Sequence, residues 1–371
     1  MKILHTADLH IGRRLNDISL LEDQSKILSD IVDIAEEQGV YAVLLSGDLY
    51  DKSAPAAEAM TLFDSFLSRL TDRGVQVFAV SGNHDSEDRV EYFSRYLERA
   101  GVHIYGRYDG ELRSFSLSEG AERATVHLLP FLKPHTVRPY FKDTKIETYE
   151  DAARAALSNV TLDPDTVNIL LAHQFVTGAA LSDSEELAVG GLDNVSAELF
   201  DAFDYVALGH IHRPQSIKRD TLRYSGSPLK YSISEAKGMK SVSLIDITGG
   251  GLSVSEVPLA PLRDVREISG YLDDILKMDY SEDFVKITLQ DDIIMPDARV
   301  TLSTVFPNLI RLTSAISSDE SGLDCELDSA ENLTPEQLFS DFYRTSNGGS
   351  APTPEMLEII KKLFDGEAMN I

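Results

Sequence analysis

Five short segments carry His, Asp or Asn in patterns that could do joint chemistry: Asp8-Leu9-His10, Gly47-Asp48, Gly82-Asn83-His84-Asp85, His173, and Gly209-His210-Ile211-His212. Carboxylate and imidazole are hard-to-borderline donors that suit Mn²⁺, Fe²⁺ or Zn²⁺. A carboxylate shared by two such cations lets them sit about 3.5–4 Å apart and clamp a phosphate. Each segment ends a strand-like run. Ligands of open α/β sheets gather at the carboxyl ends of strands, so residues about 200 positions apart can converge on one rim. At a strand end alternate side chains point the same way, which lets Asp8 pair with His10 and His210 with His212. The glycines before Asp48, Asn83 and His210 permit tight turns close to the ions.

The elements that must position these residues read as follows. KILHTAD (Lys2 to Asp8), YAVLLSGD and VQVFAVSGNHD are strands. Between them, Ile18 to Gln38 carries Leu20, Leu21, Ile27, Leu28, Ile31 and Ile34 at helical spacing, with Gly39 as the stop. A second helix opens at Pro55 and runs to about Arg73, ended by Gly74. This βαβαβ rhythm predicts a mostly parallel sheet with helices on it. From Gly101 short strands dominate: VHIYG, ELRSFSL, ATVHLLPFL, NILLAHQ, YVALGHIH and LRYSGSP. SVSLIDI and LSVSEVPL flank ITGGG, a hairpin signal. The fold class expected is α/β: a two-sheet β-sandwich flanked by helices. PLAP, from Pro258 to Pro261, reads as a boundary. The expected division is 1–260 for the chemical domain, 261–316 for a small α+β module, 317–332 for an acidic linker and 333–371 for a helical C-terminal region. That last region carries helices over Thr334 to Tyr343 and Pro354 to Phe364.

Composition bounds the alternatives. The chain has 371 residues, with 34 Lys+Arg against 61 Asp+Glu and a net charge of -27. Its 43% hydrophobic content supports packed cores and excludes wholesale disorder. Its one cysteine, Cys325, cannot form an internal disulfide, consistent with a reducing compartment. No apolar run approaches the roughly 18–20 residues that span a bilayer, and the polar start leaves no room for a signal-peptide core. The expectation is a soluble cytoplasmic protein with no membrane partner. Acidity argues against a simple electrostatic DNA binder. Yet Arg213 to Lys240 is locally basic (Arg213, Lys218, Arg219, Arg223, Lys230, Lys237, Lys240), and Arg13 and Arg14 follow the first motif. Divalent cations would also reverse the local field. The acidity therefore predicts weak DNA binding by the isolated chain rather than none.

In this order and spacing, DLH, GD, GNHD, AHQ and GHIH resemble the calcineurin-like metallophosphoesterase superfamily over about residues 1–215. HTADLHIGRRL, LLSGDLYDKSAP, VSGNHDS, LGHIHRPQ and YSGSPLKYSISEAKGMKSV are similar to SbcD, the family of nuclease subunits of bacterial SbcCD complexes. LRDVREISG and VFPNLIRLT resemble that family's capping domain, while the C-terminal tail is a loose match.

The resemblance implies a two-metal DNA nuclease acting in end processing, repair, recombination and replication. Its activities would be 3′-to-5′ exonuclease on double strands and endonuclease on single strands or hairpins. Mn²⁺ would be the favoured cofactor. One ion would be held by Asp8, His10 and His212, the other by Asn83, His173 and His210, with Asp48 bridging both. His84 would be the catalytic acid or transition-state stabiliser rather than a ligand, a role that suits an imidazole. Asp85 would orient His84 or a ligand. Some archaeal relatives carry a second non-ligand histidine just after the GD motif, where this chain has Asp51. Asp51, Arg13, Arg14 and Arg213 are candidates for assisting or contacting substrate. Tyr224 and Ser227, in YSGSPLKY, belong either to a substrate-side loop or to an ordinary turn. His5, His103, His127 and His135 read as structural. The chain has no GxxxxGK[ST] motif, so ATP dependence would come from an SbcC-type ATPase in a heterotetramer. The C-terminal helices would dock near the base of that partner's coiled coil. Dimerisation would use helices of the nuclease domain. The alternatives are a metallophosphodiesterase for a small-molecule phosphodiester, and a scaffold with an idle site.

Overall fold

The computed structural model describes residues 1–182, 194–292, 295 and 297–315, with a few isolated positions beyond them. Strand and helix alternate at first: β1 (Lys2–Thr6), α1 (Leu21–Gln38), β2 (Ala42–Ser46), α2 (Ala57–Thr71), β3 (Gln76–Val80) and β4 (Val102–Tyr105). The four strands pair in parallel. Gly39 ends α1 at φ 64, the left-handed conformation a helix stop favours. The helix starts after Ile18 rather than at it, because Ile18–Ser19 instead pairs with Arg14–Leu15 in a small hairpin.

The middle of the chain builds a second sheet from β5 (Arg113–Glu119), β6 (Glu122–Leu129), β7 (Val167–His173), β8 (Tyr205–Gly209), β9 (Gln215–Ile217) and β10 (Arg219–Tyr224), with α3 (Tyr149–Leu157) between β6 and β7. Its spatial order is β9-β10-β8-β7-β6-β5. The chain then returns to the first sheet with β11 (Ser241–Thr248) and β12 (Gly251–Pro258), giving the order β12-β11-β1-β2-β3-β4. Gly249 and Gly250, at φ 61 and 76, form the two-residue turn of that hairpin. Both values are positive, as a primed hairpin turn requires.

The two sheets face each other. Ile3, Leu44, Phe78 and Val80 of the first meet Val126, Ile169, Leu171 and Ala207 of the second in one apolar cluster. Residues alternating with these, such as Leu4, Val43, Leu45 and Val77, pack instead with Ile27, Ile31, Phe63 and Leu70 of α1 and α2. This alternation makes the two-sheet sandwich flanked by helices, and each such fully buried side chain is worth roughly 1.5–3 kcal/mol. His5 lies between the sheets. Its Nδ1 meets the Tyr205 hydroxyl at 2.9 Å and its Nε2 the Leu208 carbonyl at 3.2 Å. Burial pushes its pKa down to about 3, so it is a neutral core residue. His127 is likewise bonded to Ser114 and Asn168, His103 stacks on Phe78, and His135 is exposed.

A third sheet follows: β13 (Val265–Gly270), β14 (Phe284–Leu289) and β15 (Leu309–Ser314), all parallel. Val285, Ile287, Leu302 and Phe306 give it a core of its own. Residues 1–315 form one compact unit and 316–371 a second. The expected linker at 317–332 lies outside the described residues, as do the two expected C-terminal helices apart from isolated positions. No helix among the described residues is long and apolar enough to cross a membrane.

The sheets lie close together at the rim where β2 and β8 end. A Cβ on Gly209 would lie 1.8 Å from the Ser46 carbonyl oxygen. Gly39 has open space around it. We therefore expect Gly209→Ala to cost about 1–3 kcal/mol or more by overpacking. Gly39→Ala should cost only about 1 kcal/mol, for its left-handed backbone. Urea unfolding midpoints measure the difference, and a Gly209→Ala midpoint no lower than that of Gly39→Ala would count against this packing.

Candidate metal centre

The rim carries all five segments. β1 stops at Thr6 and β8 at Gly209, so strand alternation is not what brings Asp8 to His10 or His210 to His212. The backbone instead turns through left-handed conformations at Asp8 (φ 52), His10 (φ 42), Asp48 (φ 48) and His210 (φ 102). Such conformations are costly for non-glycine residues and persist only where the surroundings enforce them. Here a backbone ladder does so: Asp8 N–H donates to the Gly47 carbonyl (3.1 Å), His10 N–H to Asp48 (2.9 Å) and Ile11 N–H to Leu49 (3.0 Å). The glycines serve as clearance. A Cβ on Gly47 would meet the His173 ring at 2.4 Å, and one on Gly82 would meet Asp48 Oδ1 at 2.0 Å.

Lone pairs converge in two places. In the first, His10 Nε2 and His212 Nε2 face each other at 3.1 Å, and Asp48 Oδ2 is 3.7 Å from His10 Nε2. Asp8 Oδ2 is buried with no hydrogen-bond partner, while Oδ1 accepts from the His210 N–H at 2.9 Å. In the second, His173 Nδ1 donates to the Ser46 carbonyl at 2.7 Å. In the neutral ring this leaves Nε2 as the acceptor, and it lies 3.0 Å from Asn83 Oδ1 and 3.4 Å from Asp48 Oδ2. His210 Nδ1 is also 3.0 Å from Asn83 Oδ1, and its Nε2 is buried without a partner. Carboxylate, amide and imidazole donors crowded this closely, with Asp8 Oδ2, His10 Nδ1 and His210 Nε2 buried without a hydrogen-bond partner, fit cations. Asp8, His10 and His212 could hold one ion and Asn83, His173 and His210 another, with Asp48 between them.

The ionisation states follow from burial and charge. Burial raises the Asp8 pKa to about 6. Burial also lowers His10 well below its ordinary value and His210 to about 3, leaving both as neutral donors. Burial opposes the charge on Asp48, but His173 and His10 beside it hold its carboxyl well below the usual range. Burial likewise opposes charge on His173, yet Asp48 and Asp8 push it up to about 9. The field of this pocket thus favours positive charge at its centre.

His84 stands beside these donors, with a ring nitrogen within 4.8 Å of ligand atoms of His10 and Asp48. Its ring is 4.8 Å from that of His10, edge to face. Its Nδ1 donates to the Asp51 carbonyl at 3.1 Å and its backbone N–H to Asp48 Oδ1 at 2.9 Å.

The family model of the calcineurin-like phosphoesterases matches residues 1–214. The chain belongs to this family. A second family model, the Type 5 capsule protein repressor C-terminal domain, matches residues 261–347. Among curated proteins, the chain is similar to the SbcD component of the SbcCD nuclease of Staphylococcus saprophyticus, at 31% identity over 97% of this chain and 97% of that protein. It is also similar to the same component of the Staphylococcus epidermidis nuclease, at 34% identity over 93% of each.

Around the phosphoesterase centre, the remaining candidates are placed unequally. Asp85 accepts from the N–H groups of Leu49 (3.1 Å), Tyr50 (3.0 Å) and Gly82 (2.9 Å), tying the loops that carry Asp48 and Asn83. Arg13 reaches the Asp51 carboxylate at 2.9 Å. Arg14 turns away to the Asp17 carbonyl, because it sits in the small hairpin. Tyr224 and Ser227 do not line a substrate-side loop. Tyr224 is fully buried, donating to the Gln174 carbonyl and accepting from Val176 N–H, each at 2.8 Å. Buried Ser227 donates to the Leu229 carbonyl and accepts from Lys240. The basic run is largely neutralised: Lys218 pairs with Glu198, Arg223 with Glu256, Lys230 with Asp264 and Lys240 with Glu235, while Arg219 serves the Phe200 and Phe203 carbonyls. Arg213 and Lys237 are exposed.

Four supporting residues escaped the sequence reading. Gln24 of α1 donates to the His10 carbonyl at 2.7 Å and accepts from Gly12 N–H at 2.9 Å. Tyr231 donates to the Leu9 carbonyl. Lys240 donates to the His212 carbonyl at 2.7 Å. Glu235 lies 3.6 Å from His212 Nδ1, and although burial opposes its charge, His212 and Lys240 hold its pKa down at about 2. Gln24, a buried polar side chain among the apolar positions of α1, left the one visible signal. A carboxylate behind a ligating histidine fixes its orientation, and losing it typically costs about 10–100-fold in metal affinity. We expect Glu235→Gln to weaken Mn²⁺ binding by about that factor, read by competition with a chelating indicator. An affinity within about twofold of the unmodified chain would contradict this role.

Proposed function

We propose that this chain is the metal-dependent nuclease component of an SbcCD-type complex, hydrolysing DNA phosphodiesters in double-strand exonuclease and single-strand or hairpin endonuclease reactions. The observation that carries this is the cluster of Asp and His donors around Asp48, with Asp8, His10, His173 and His212 buried in it, read with relatives named as SbcCD nuclease components that match the chain nearly end to end. Asp8, His10 and His212 hold one cation and Asn83, His173 and His210 the other, with Asp48 common to both. Two divalent ions, Mn²⁺ in this proposal, supply charge against the phosphate and lower the pKa of the attacking water. The residues do the rest. The bond from His84 Nδ1–H to the Asp51 carbonyl orients the ring, which in its doubly protonated, imidazolium form gives the Nε2 proton to the leaving 3′-oxygen and is left neutral. Asp85 keeps the Asp48 and Asn83 loops in register. No observation favours the small-molecule alternative.

The division at 1–260, 261–316, 317–332 and 333–371 is part of this proposal, with the C-terminal region binding an SbcC-type ATPase in the cytoplasm. So is a homodimer through the nuclease domain. Its support is an apolar face beside α2, where Met60 (53%), Tyr92 (70%), Phe93 (61%) and Tyr96 (68%) are exposed. Patches of this kind mark interaction sites.

The test is hydrolysis of linear and hairpin DNA by the full chain with Mn²⁺ and its ATPase partner. Chelation and Asn83→Ala should each abolish it. His84→Ala should slow turnover by about 100- to 10,000-fold while leaving the bound Mn²⁺ unchanged. Intact DNA with the unmodified proteins, or full activity in Asn83→Ala, would overturn the proposal. Light scattering of the isolated chain should give twice the chain mass, and a value near 41.0 kDa at micromolar concentration would remove the dimer from it.

A further inference from the structure

One aromatic ring at the metal centre has no part in either main apolar cluster. Phe131 follows β6 and is half-buried. Its backbone N–H donates to the Ser81 carbonyl at 3.0 Å, which fixes it to the loop that continues into Gly82-Asn83-His84. Its ring lies 6.0 Å from that of His173, at 80°. The Lys133 amine is 6.0 Å from the centre of the same ring. Lys133 has no carboxylate partner among the described residues, unlike Arg13, Lys230 and Lys240. The Tyr149 ring is also 6.0 Å away, at 46°, so the rim presents a half-buried aromatic ring and a cation together, next to the second cation position.

That pairing matches one chemistry. An unstacked nucleobase has a π-face and is followed along its strand by a phosphate. Aromatic platforms beside basic groups bind single strands in this way, largely without regard to sequence. A duplex keeps its bases stacked on each other and offers no face to such a ring. Tyr149, itself packed on the core, supports the ring from one side, and the amine stands beside it without a carboxylate partner among the described residues.

We propose that Phe131 stacks an unpaired base next to the scissile phosphate and that Lys133 contacts the adjoining phosphate, so that this centre selects strands with a locally unstacked nucleotide. The inference rests on the DNA-cleaving reading above.

The experiment uses the full chain with Mn²⁺, its ATPase partner and ATP, and two end-labelled single-stranded oligonucleotides. They are identical except that one carries a tetrahydrofuran abasic nucleotide, placed in turn at each position flanking a mapped cleavage site. The readout is the ratio of kcat/KM for the intact strand to that for the abasic strand. The unmodified chain should give a ratio on the order of tenfold at one position. Phe131→Ala should bring the ratio close to one, and Phe131→Tyr, which retains the π-face, should restore it. Lys133→Gln should raise KM and flatten its dependence on salt, since one fewer phosphate is neutralised. A ratio near one at every position in the unmodified chain, or an unchanged ratio in Phe131→Ala, overturns the stacking role. If the unmodified chain cuts neither strand, the DNA reading fails first and this inference falls with it.

Discussion

Everything at the rim answers one electrostatic demand. Two carboxylates, an amide oxygen and several imidazole nitrogens are gathered where water hardly reaches, and Asp8, His10, Asp48, His173, His210 and His212 are all buried. Burying charge without a partner costs several kcal/mol per ion. Hydrogen bonds within the cluster do not settle it, because Asp8 Oδ2, His10 Nδ1 and His210 Nε2 stay buried without a partner. A proton on His173 meets part of the demand, which is why its pKa is pushed up to about 9. Two cations would meet it in full.

The architecture serves this demand by making sheet packing and site geometry the same thing. Asp8, Asp48 and Asn83 follow strands of one sheet, whereas His173, His210 and His212 end or follow strands of the other. Their relative positions are set by the interface of Ile3, Leu44 and Phe78 against Val126, Ile169 and Leu171. The hydrogen bond from His173 to the Ser46 carbonyl crosses from one sheet to the other at the rim. The left-handed turns at Asp8, His10, Asp48 and His210 add strain that a loose scaffold would not retain. Asp85, Gln24, Tyr231, Lys240 and Glu235 then hold the loops from behind. Few degrees of freedom remain for substrate to organise, which is the preorganisation that phosphoryl chemistry needs.

Much of this was legible in the sequence, and the limits are instructive. The strands that lead into Asp8 and Asp48 and the one that ends at His173, the helix stop at Gly39 and the Gly249-Gly250 hairpin are local features, written in adjacent residues. The clustering of the ligand residues was readable because chemically unusual types recur at strand ends. Glu235 was not readable, because its significance depends on a contact with His212, far from it in the chain. The same holds for Tyr231 with Leu9. Tyr224 and Ser227 misled for the opposite reason: a turn sequence near the site says nothing about which way its side chains point. The basic run from Arg213 to Lys240 looked like a path for a polyanion, yet Glu198, Glu256, Asp264 and Glu235 take up most of its charge. Strand alternation gave a sound grouping for Asp8 with His10, although the backbone achieves it by left-handed turns instead.

The net charge of -27 therefore acquires a sharper meaning. The chain carries little free positive surface in its basic run, and its attraction for a phosphate is concentrated at the metal centre and its immediate flank. In the proposed function, grip on DNA beyond that point would fall to a partner. The central claim is that Asp48 joins two cation positions. It is tested most directly by metal content: the purified full chain is saturated with Mn²⁺, freed of excess and measured by elemental mass spectrometry. The account predicts two ions per chain, one in Asn83→Ala, and fewer than one in Asp48→Asn with the fold retained by circular dichroism. A single ion in the unmodified chain, or two ions kept by Asp48→Asn, would contradict it.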